Sequence, residues 1–277
     1  MKFGIGAILL VLGVISAAID RGEAADAGSN VPPSSRWEIG LDGRVGVPAG
    51  YLKVGEFNVP GTRLRLRDDL DIDLSEALEF GVRYHLTPRD ALRATFLYYF
   101  LDGSTTTSRP VTYNGQTFAP GRLHTNADFS RATVGYERGL FPLSNGGSLT
   151  GGAALTYVYL NAKVNGNAED FYLQELPVPL LTVRLDTPLR GRFGLTASLE
   201  GGGLPRVDSL RKEGGTVFLE QQHADAGLAL TYALRPALWL HAGYRFTYFF
   251  QREKSHEDEN AFQLIDNAFR LGLTLRF

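Results

Sequence analysis

The chain of 277 residues contains no cysteine, a single methionine and two tryptophans. Without cysteine there is no disulfide framework, no thiol nucleophile, no thiolate metal site and no lipidated N-terminal cysteine. An excess of one charge sign is also lacking. The formal net charge is −2, too small to draw the chain to nucleic acid, and no nucleic-acid partner is expected. Long hydrophobic runs are scarce. Residues 3–19 are apolar but glycine-interrupted and short for a spanning helix. The stretch from Gly139 to Ala162 carries no charge, yet Pro142 and five glycines make it a poor helix.

What the chain does have is glycine (32 residues), tyrosine (12) and phenylalanine (17), with 21% charged residues. That mixture is too polar for a helical membrane protein and unusually aromatic for a soluble one. The N-terminus has the layout of a secretory signal. Lys2 supplies the positive start, residues 3–19 the apolar core, and Gly22 and Ala24 the small-residue site. Residues 1–24 are therefore expected to be a signal peptide cleaved after Ala24, with cleavage after Ala27, or an uncleaved anchor, as alternatives. Residues 25–35 have the composition of a flexible segment. Residues 36–277 are expected to form one domain.

The strongest signal in that domain is period-two alternation, which places successive side chains on opposite faces of a strand. Trp37, Ile39, Leu41, Val45 and Val47 alternate with Glu38, Asp42 and Arg44. Leu78, Phe80, Val82 and Tyr84 alternate with Glu79 and Arg83, and Leu92 to Phe100 with Arg93, Thr95, Leu97 and Tyr99. The pattern recurs around Val134, Tyr157, Val183, Leu195, Leu230 and Tyr244, and ends with Phe269, Leu271, Leu273, Leu275 and Phe277. Each segment has one apolar and one polar face.

Punctuation is equally regular. Short proline-containing turns fall at 87–90, 141–142, 187–188 and 235–236, their prolines 54, 46 and 48 residues apart. Longer polar connections lie between them, at 48–75, 103–121, 165–170, 203–215 and 252–260. Short turns at one end and long loops at the other predict an all-β, antiparallel, up-and-down transmembrane barrel of ten strands, with twelve or eight as alternatives. A twelve-strand count would use Tyr51–Phe57 and Thr62–Arg67 as a further hairpin. An even count puts both termini on the short-turn, periplasmic side. Asn114-Gly115 is a hairpin signal, and the loop around it is expected to extend the barrel outward.

Aromatic residues concentrate at both ends of the apolar faces. Trp37, Tyr84, Tyr136, Phe193, Tyr232 and Phe277 fall near the short turns. Phe100, Tyr157, Tyr159, Phe171, Tyr248 and Phe250 fall near the long loops. Such rings suit the two membrane–water interfaces. The apolar alternation running to Phe277 resembles the C-terminal signature strand by which bacterial outer-membrane barrels are recognised for assembly. In pattern the chain resembles the small barrel proteins of OmpA-, OmpX- or opacity-like architecture. The resemblance implies an outer-membrane location, contact with membrane lipid and lipopolysaccharide, and insertion by the barrel assembly machinery. It implies an envelope-stabilising, surface-binding or narrow-pore role without choosing among them, and the extracellular ligand stays open. A secreted β-sandwich is the alternative fold.

The inward faces carry seven acids (Glu38, Asp42, Glu79, Glu137, Asp186, Glu200, Asp225) and eight arginines (Arg44, Arg83, Arg93, Arg131, Arg184, Arg245, Arg270, Arg276). A barrel of about ten strands is nearly filled by side chains, so a charge network filling the lumen is expected. A narrow channel for small polar solutes is the alternative. Enzymatic signals are weak. His223 and Asp225 share a face, and omptin-like surface proteases use carboxylates with a His–Asp pair, but their pattern is not matched here residue by residue. Asp69, Asp71 and Asp73 alternate, yet Leu74 and Phe80 stand where a calcium loop needs Gly and Glu. His256 beside Ser255 lacks an orienting partner. Gly201-Gly202-Gly203 is read as a strand end. The expectation is a non-enzymatic protein with no catalytic or metal site and no cofactor; a surface hydrolase of proteolytic or lipid-modifying type is the second alternative.

Overall fold

The computed structural model describes residues 35–56, 59–170, 177–208, 218–254 and 258–277. The expected signal peptide, the segment that follows it as far as residue 34, Phe171 and His256 lie outside them. In chain order the strands are β1 (Trp37–Glu56), β2 (Leu64–Arg65), β3 (Ser75–His85), β4 (Asp90–Thr107), β5 (Val111–Tyr113), β6 (Gln116–Phe118), β7 (Gly121–Pro142), β8 (Ser148–Val164), β9 (Asn167–Asp170), β10 (Val178–Pro188), β11 (Phe193–Asp208), β12 (Phe218–Arg235), β13 (Leu238–Lys254) and β14 (Asp258–Arg276).

Ten of these close into a ring. The order is β1-β3-β4-β7-β8-β10-β11-β12-β13-β14, and β14 pairs back onto β1, antiparallel throughout. The seam runs from Glu38 opposite Arg276 to Glu56 opposite Asp258. At its end Trp37 N donates to Phe277 O at 2.9 Å and Phe277 N to Trp37 O at 3.0 Å. Closure removes the free sheet edges that a hydrocarbon environment would leave unsatisfied.

The alternation sorts as its period requires. Phe80, Phe96, Val134, Leu155, Leu181, Leu199, Leu228 and Phe269 are exposed on the outer wall, while Arg44, Arg131, Glu137, Asp225 and Arg245 are buried inside. Trp37 packs on Tyr84 at 4.6 Å between centroids and Phe193 on Tyr232 at 4.9 Å, both outside near the short turns.

The short connections are tight. Leu86 N donates to Asp90 O at 2.8 Å, Leu143 N to Gly147 O at 2.8 Å and Leu189 N to Phe193 O at 2.9 Å. Pro142 and Pro188 end strands rather than occupying turns. At the other end the strands run further than the polar composition suggested. β7 has 22 residues, β1 20 and β14 19, against the roughly 9–11 that cross a bilayer. Residues 48–56, 103–107 and 203–208, expected in loops, are strand.

Three expectations are corrected here. The Asn114-Gly115 turn does form, with both residues at positive φ (47° and 69°), but its hairpin, β5–β6, is a separate sheet. It folds across the mouth instead of extending the wall. Of the segment expected to add a further hairpin, Tyr51–Glu56 is the far end of β1, and only Leu64–Arg65 (β2) pairs with it, at Tyr51 and Leu52, so no strand is added to the ring of ten. Gly201-Gly202-Gly203 lie inside β11, opposite Ala224, His223 and Gln222. A Cβ at Gly202 would stand 2.1 Å from Pro179 O, so close backbone approach, not strand termination, explains glycine there.

Candidate functional site: the barrel lumen

The short-turn half of the lumen is ionic. Arg83 reaches Glu38 through Nη1 at 2.9 Å and Glu137 through Nε at 2.9 Å. Arg93 lies 3.5 Å from Glu137 and also bonds Glu200 on the far wall. Arg276 lies 3.3 Å from Glu38, and Arg184 pairs with Asp186 at 2.8 Å. Asp42 sits 2.6 Å from Nε2 of His241 and 3.6 Å from Arg270. One level up, Arg44 pairs with Glu79. Arg131 Nη1 donates to Asp225 at 2.7 Å, the Thr247 hydroxyl donates to its other oxygen at 2.8 Å, and Arg245 lies 3.5 Å away. Every inward charge singled out above therefore has an opposite partner. Arginine suits the task because its planar fork can bond two carboxylates at once, as Arg83 does here.

Two of these pairs bridge the ring. Arg93 on β4 and Glu200 on β11 stand four strands apart, as do Arg131 on β7 and Asp225 on β12. Such buried pairs contribute little net stability, yet removing one partner strands a charge.

The long-loop half is apolar, which the alternation did not predict. Tyr99, Phe129, Phe249 and Phe262 are fully buried inside the barrel. Phe129 packs on Phe249 at 4.8 Å, on Tyr99 at 5.6 Å and on Phe262 at 6.1 Å between centroids. Leu52, Leu97, Leu101, Val158, Leu160 and Leu264 surround them. The Tyr99 hydroxyl donates to Asp266 at 3.1 Å and Ser75 to the same carboxylate at 2.6 Å, joining the two halves. The missed signal lies in uninterrupted apolar runs, Phe96 to Leu101 and Tyr248 to Phe250, which mark strands covered on both faces.

Above the rings the mouth is capped. Leu64, Leu66, Leu70 and Ile72 from the first long connection are buried, as are Val111 and Tyr113 of the hairpin. Tyr113 donates its hydroxyl to Ala162 O at 2.7 Å, and Thr62 N donates to Thr112 O at 2.8 Å.

The candidate chemistry dissolves in this geometry. Asp225 is committed to Arg131, Thr247 and Arg245. His223 is buried, its ring 5.0 Å from that of Phe249 and its Nε2 3.4 Å from Gln221 Oε1. Asp69 accepts from Arg109 at 3.1 Å and from Arg65 N at 2.8 Å, while Asp73 lies 3.5 Å from Arg67, so these acids neutralise the neighbouring arginines. The His241–Asp42 pair was not foreseen, because its members come from opposite ends of the chain.

No protein-family model and no curated protein matches the chain. Among solved structures it is similar to the outer membrane protease OmpT from Escherichia coli, with 11% identity over 90% of this chain and 100% of that one and a TM-score of 0.49. The translocator domain of autotransporter NalP from Neisseria meningitidis shares 15% identity over 98% of this chain and 99% of that one, with a TM-score of 0.43. Neisserial surface protein A shares 10% over 87% of this chain and 97% of that one, at 0.37. These similar structures are all bacterial outer-membrane β-barrel proteins.

Proposed function

We propose that this chain is a plugged, non-enzymatic barrel of the outer membrane, anchored by its apolar wall and acting through the rim that its long strands raise at the cell surface. The observation that carries this reading is the contact of Phe129 on β7 with Phe249 on β13, at 4.8 Å. In a ring of ten those strands are five places apart, directly opposite. Together with Tyr99, Phe262 and the leucines packed around them, these rings fill the lumen at that level, and the cross-lumen ion pairs occupy the level beneath. The apolar exterior and the aromatic belts support a place in lipid, with the signal-like N-terminus as the route to it and the alternation ending at Phe277 as the mark for the assembly machinery. The termini are assigned to the periplasm because the short turns lie at their end.

The test is single-channel recording in planar bilayers of protein whose gel mobility shifts on boiling. The expected result is silence for the natural chain and measurable conductance for Phe129→Ala/Phe249→Ala. Steady conductance from the natural chain would sink the plugged reading in favour of a narrow channel.

A further inference from the structure

At β3 the ring is closed only as far up as that strand reaches. β3 begins at Ser75, opposite Gly46 on β1, and Glu76 is its topmost partner for β4, opposite Phe100. Above that level β1 runs on to Glu56 and β4 to Thr107, with a gap between them in the line of β3. The β1 side of the gap is bonded. Leu66 N donates to Gly50 O at 3.1 Å, Asn114 N to Val54 O at 3.2 Å and Val59 N to Glu56 O at 2.9 Å, and Leu64 pairs with Leu52.

The β4 side is not. Backbone groups along an antiparallel strand turn alternately to its two neighbours. Leu86 N donates to Asp90 O on the β3 side, and Gly139 N to Arg89 O on the β7 side. The register is unbroken as far as Glu76–Phe100 and Gly121–Thr107, so even-numbered residues of β4 face β3 and odd-numbered ones face β7. Asp102, Ser104 and Thr106 therefore aim their N–H and C=O groups into the gap. Among the described residues these groups have no hydrogen-bond partner. Asp102 and Thr106 are exposed and Ser104 is half-buried. The connection carrying Leu70 and Ile72 passes on the lumen side of β4, where a Cβ at Gly103 would stand 2.1 Å from Leu70 O.

Asp102 is twelve positions beyond Asp90, more than the roughly 9–11 residues that cross a bilayer, so this edge lies in water. Free edges are usually blunted by lysine, proline or a bulge, and Asp102–Thr106 has none of these. The foot of the gap is acidic. Glu76 and Asp102 border it, Asp128 stands opposite Phe100 one strand away, and none of the three has a cationic partner among the described residues. Lys163 is level with Asp102 but two strands off, on β8. Other cations are higher or already paired. Arg63 lies 3.7 Å over the Tyr51 ring and Arg122 bonds the Ser104 hydroxyl at 3.2 Å, while Arg109 bonds Asp69 and Arg67 lies 3.5 Å from Asp73. Leu74, half exposed, adds an apolar contact at the foot.

We propose that the β4 edge, Asp102–Thr106, docks an extended lysine- or arginine-bearing segment of a partner protein at the cell surface, which adds a strand above β3. The inference rests on the reading of the rim as the acting part of the barrel. The segment's backbone answers the free N–H and C=O groups, and its basic side chain lies over Glu76 and Asp102.

The experiment uses the folded full-length protein in zwitterionic detergent, with backbone amide exchange followed by NMR. In the free barrel the amides of Ser104 and Thr106 should exchange about tenfold or more faster than those of Gly103 and Thr105. The probe is a capped peptide alternating valine with lysine and threonine. At millimolar concentration it should slow the first pair about tenfold, and the same peptide with glutamate for lysine should bind about fivefold more weakly. Ser104→Pro removes an edge donor and no ladder bond. That variant should keep the heat-dependent gel shift of the natural barrel and weaken the lysine peptide by about tenfold or more. Edge amides already protected in the free barrel, or unmoved by the peptide, would overturn the proposal. Protection that grows with barrel concentration alone would assign the edge to a second copy and overturn it too. Because the chain has no cysteine, Ser108→Cys reports orientation by itself. Labelling by a membrane-impermeant maleimide on intact cells is expected. Labelling only after lysis would overturn the surface reading, and this inference with it, whereas labelled cells with edge amides that ignore the peptide would reject the docking site alone.

Discussion

Phe129 and Phe249 project from strands on opposite sides of a ten-membered ring and touch, their centroids 4.8 Å apart. A barrel interior is a void that must be filled by water or by side chains, and here the choice falls on aromatic rings. Replacing either ring by alanine should cost about 3–5 kcal/mol, read as a lower denaturant midpoint in detergent. The two losses should be non-additive, because each ring is the other's packing surface.

The pair beneath them behaves differently. Arg131 and Asp225 are both buried, so Arg131→Leu leaves a carboxylate with only Arg245 and Thr247. The expected loss is about 3–5 kcal/mol. Arg131→Leu combined with Asp225→Leu should recover only part of it, since the buried Arg245 then loses the carboxylate 3.5 Å from it. A double-mutant cycle on the unfolding free energy decides the matter, and a double variant weaker than Arg131→Leu alone would contradict it.

Gly272 on β14 lies between Asp42 on β1 and His241 on β13. A Cβ there would stand 2.4 Å from His241 Nε2 and 2.5 Å from Asp42 Oδ1, so the missing side chain is what lets those two partners meet over the intervening strand. Gly272→Ala should destabilise the barrel by about 1–3 kcal/mol. His241→Ala should relieve only part of this, because Leu41 O is 2.6 Å from the same Cβ. Thermal unfolding of the two single variants and the double variant measures the relief.

The cap over the mouth depends on Tyr113, whose hydroxyl bonds Ala162 O at 2.7 Å in a fully buried position. Tyr113→Phe leaves that carbonyl short of a donor and should cost about 1 kcal/mol locally. The expected readout is faster protease cleavage within residues 108–120 with the barrel core intact; an unchanged cleavage rate would mean that the cap is held by its apolar contacts alone.

The wall of this protein is legible in its sequence because the apolar exterior and the charged lumen impose opposite polarities on successive residues. Glu38, Arg83 and Glu137 were placed inside by parity alone. Parity fails where both faces are apolar: at Leu97 and Tyr99 inward and outward residues look alike, so the aromatic plug left no period-two trace. His241 and Asp42 are 199 positions apart, and nothing local links them; only ring closure does. The Asn114-Gly115 turn was readable from its two residues, but the direction of its hairpin was not. That direction is set by partners distant in the chain: Thr62 N donates to Thr112 O at 2.8 Å, Asn114 N to Val54 O at 3.2 Å and the Tyr113 hydroxyl to Ala162 O at 2.7 Å.

The seam between β1 and β14 has a consequence for timing. The four rings of the plug span Tyr99 to Phe262 in the chain, and Phe262 belongs to the last strand. No partly assembled sheet can therefore hold the complete cluster, and its formation must wait for long-range closure, the slow kind of contact in folding. An intermediate with an open seam would leave its strand edges unpaired and its lumen unfilled, so sealing of the wall and completion of the plug arrive as a single event.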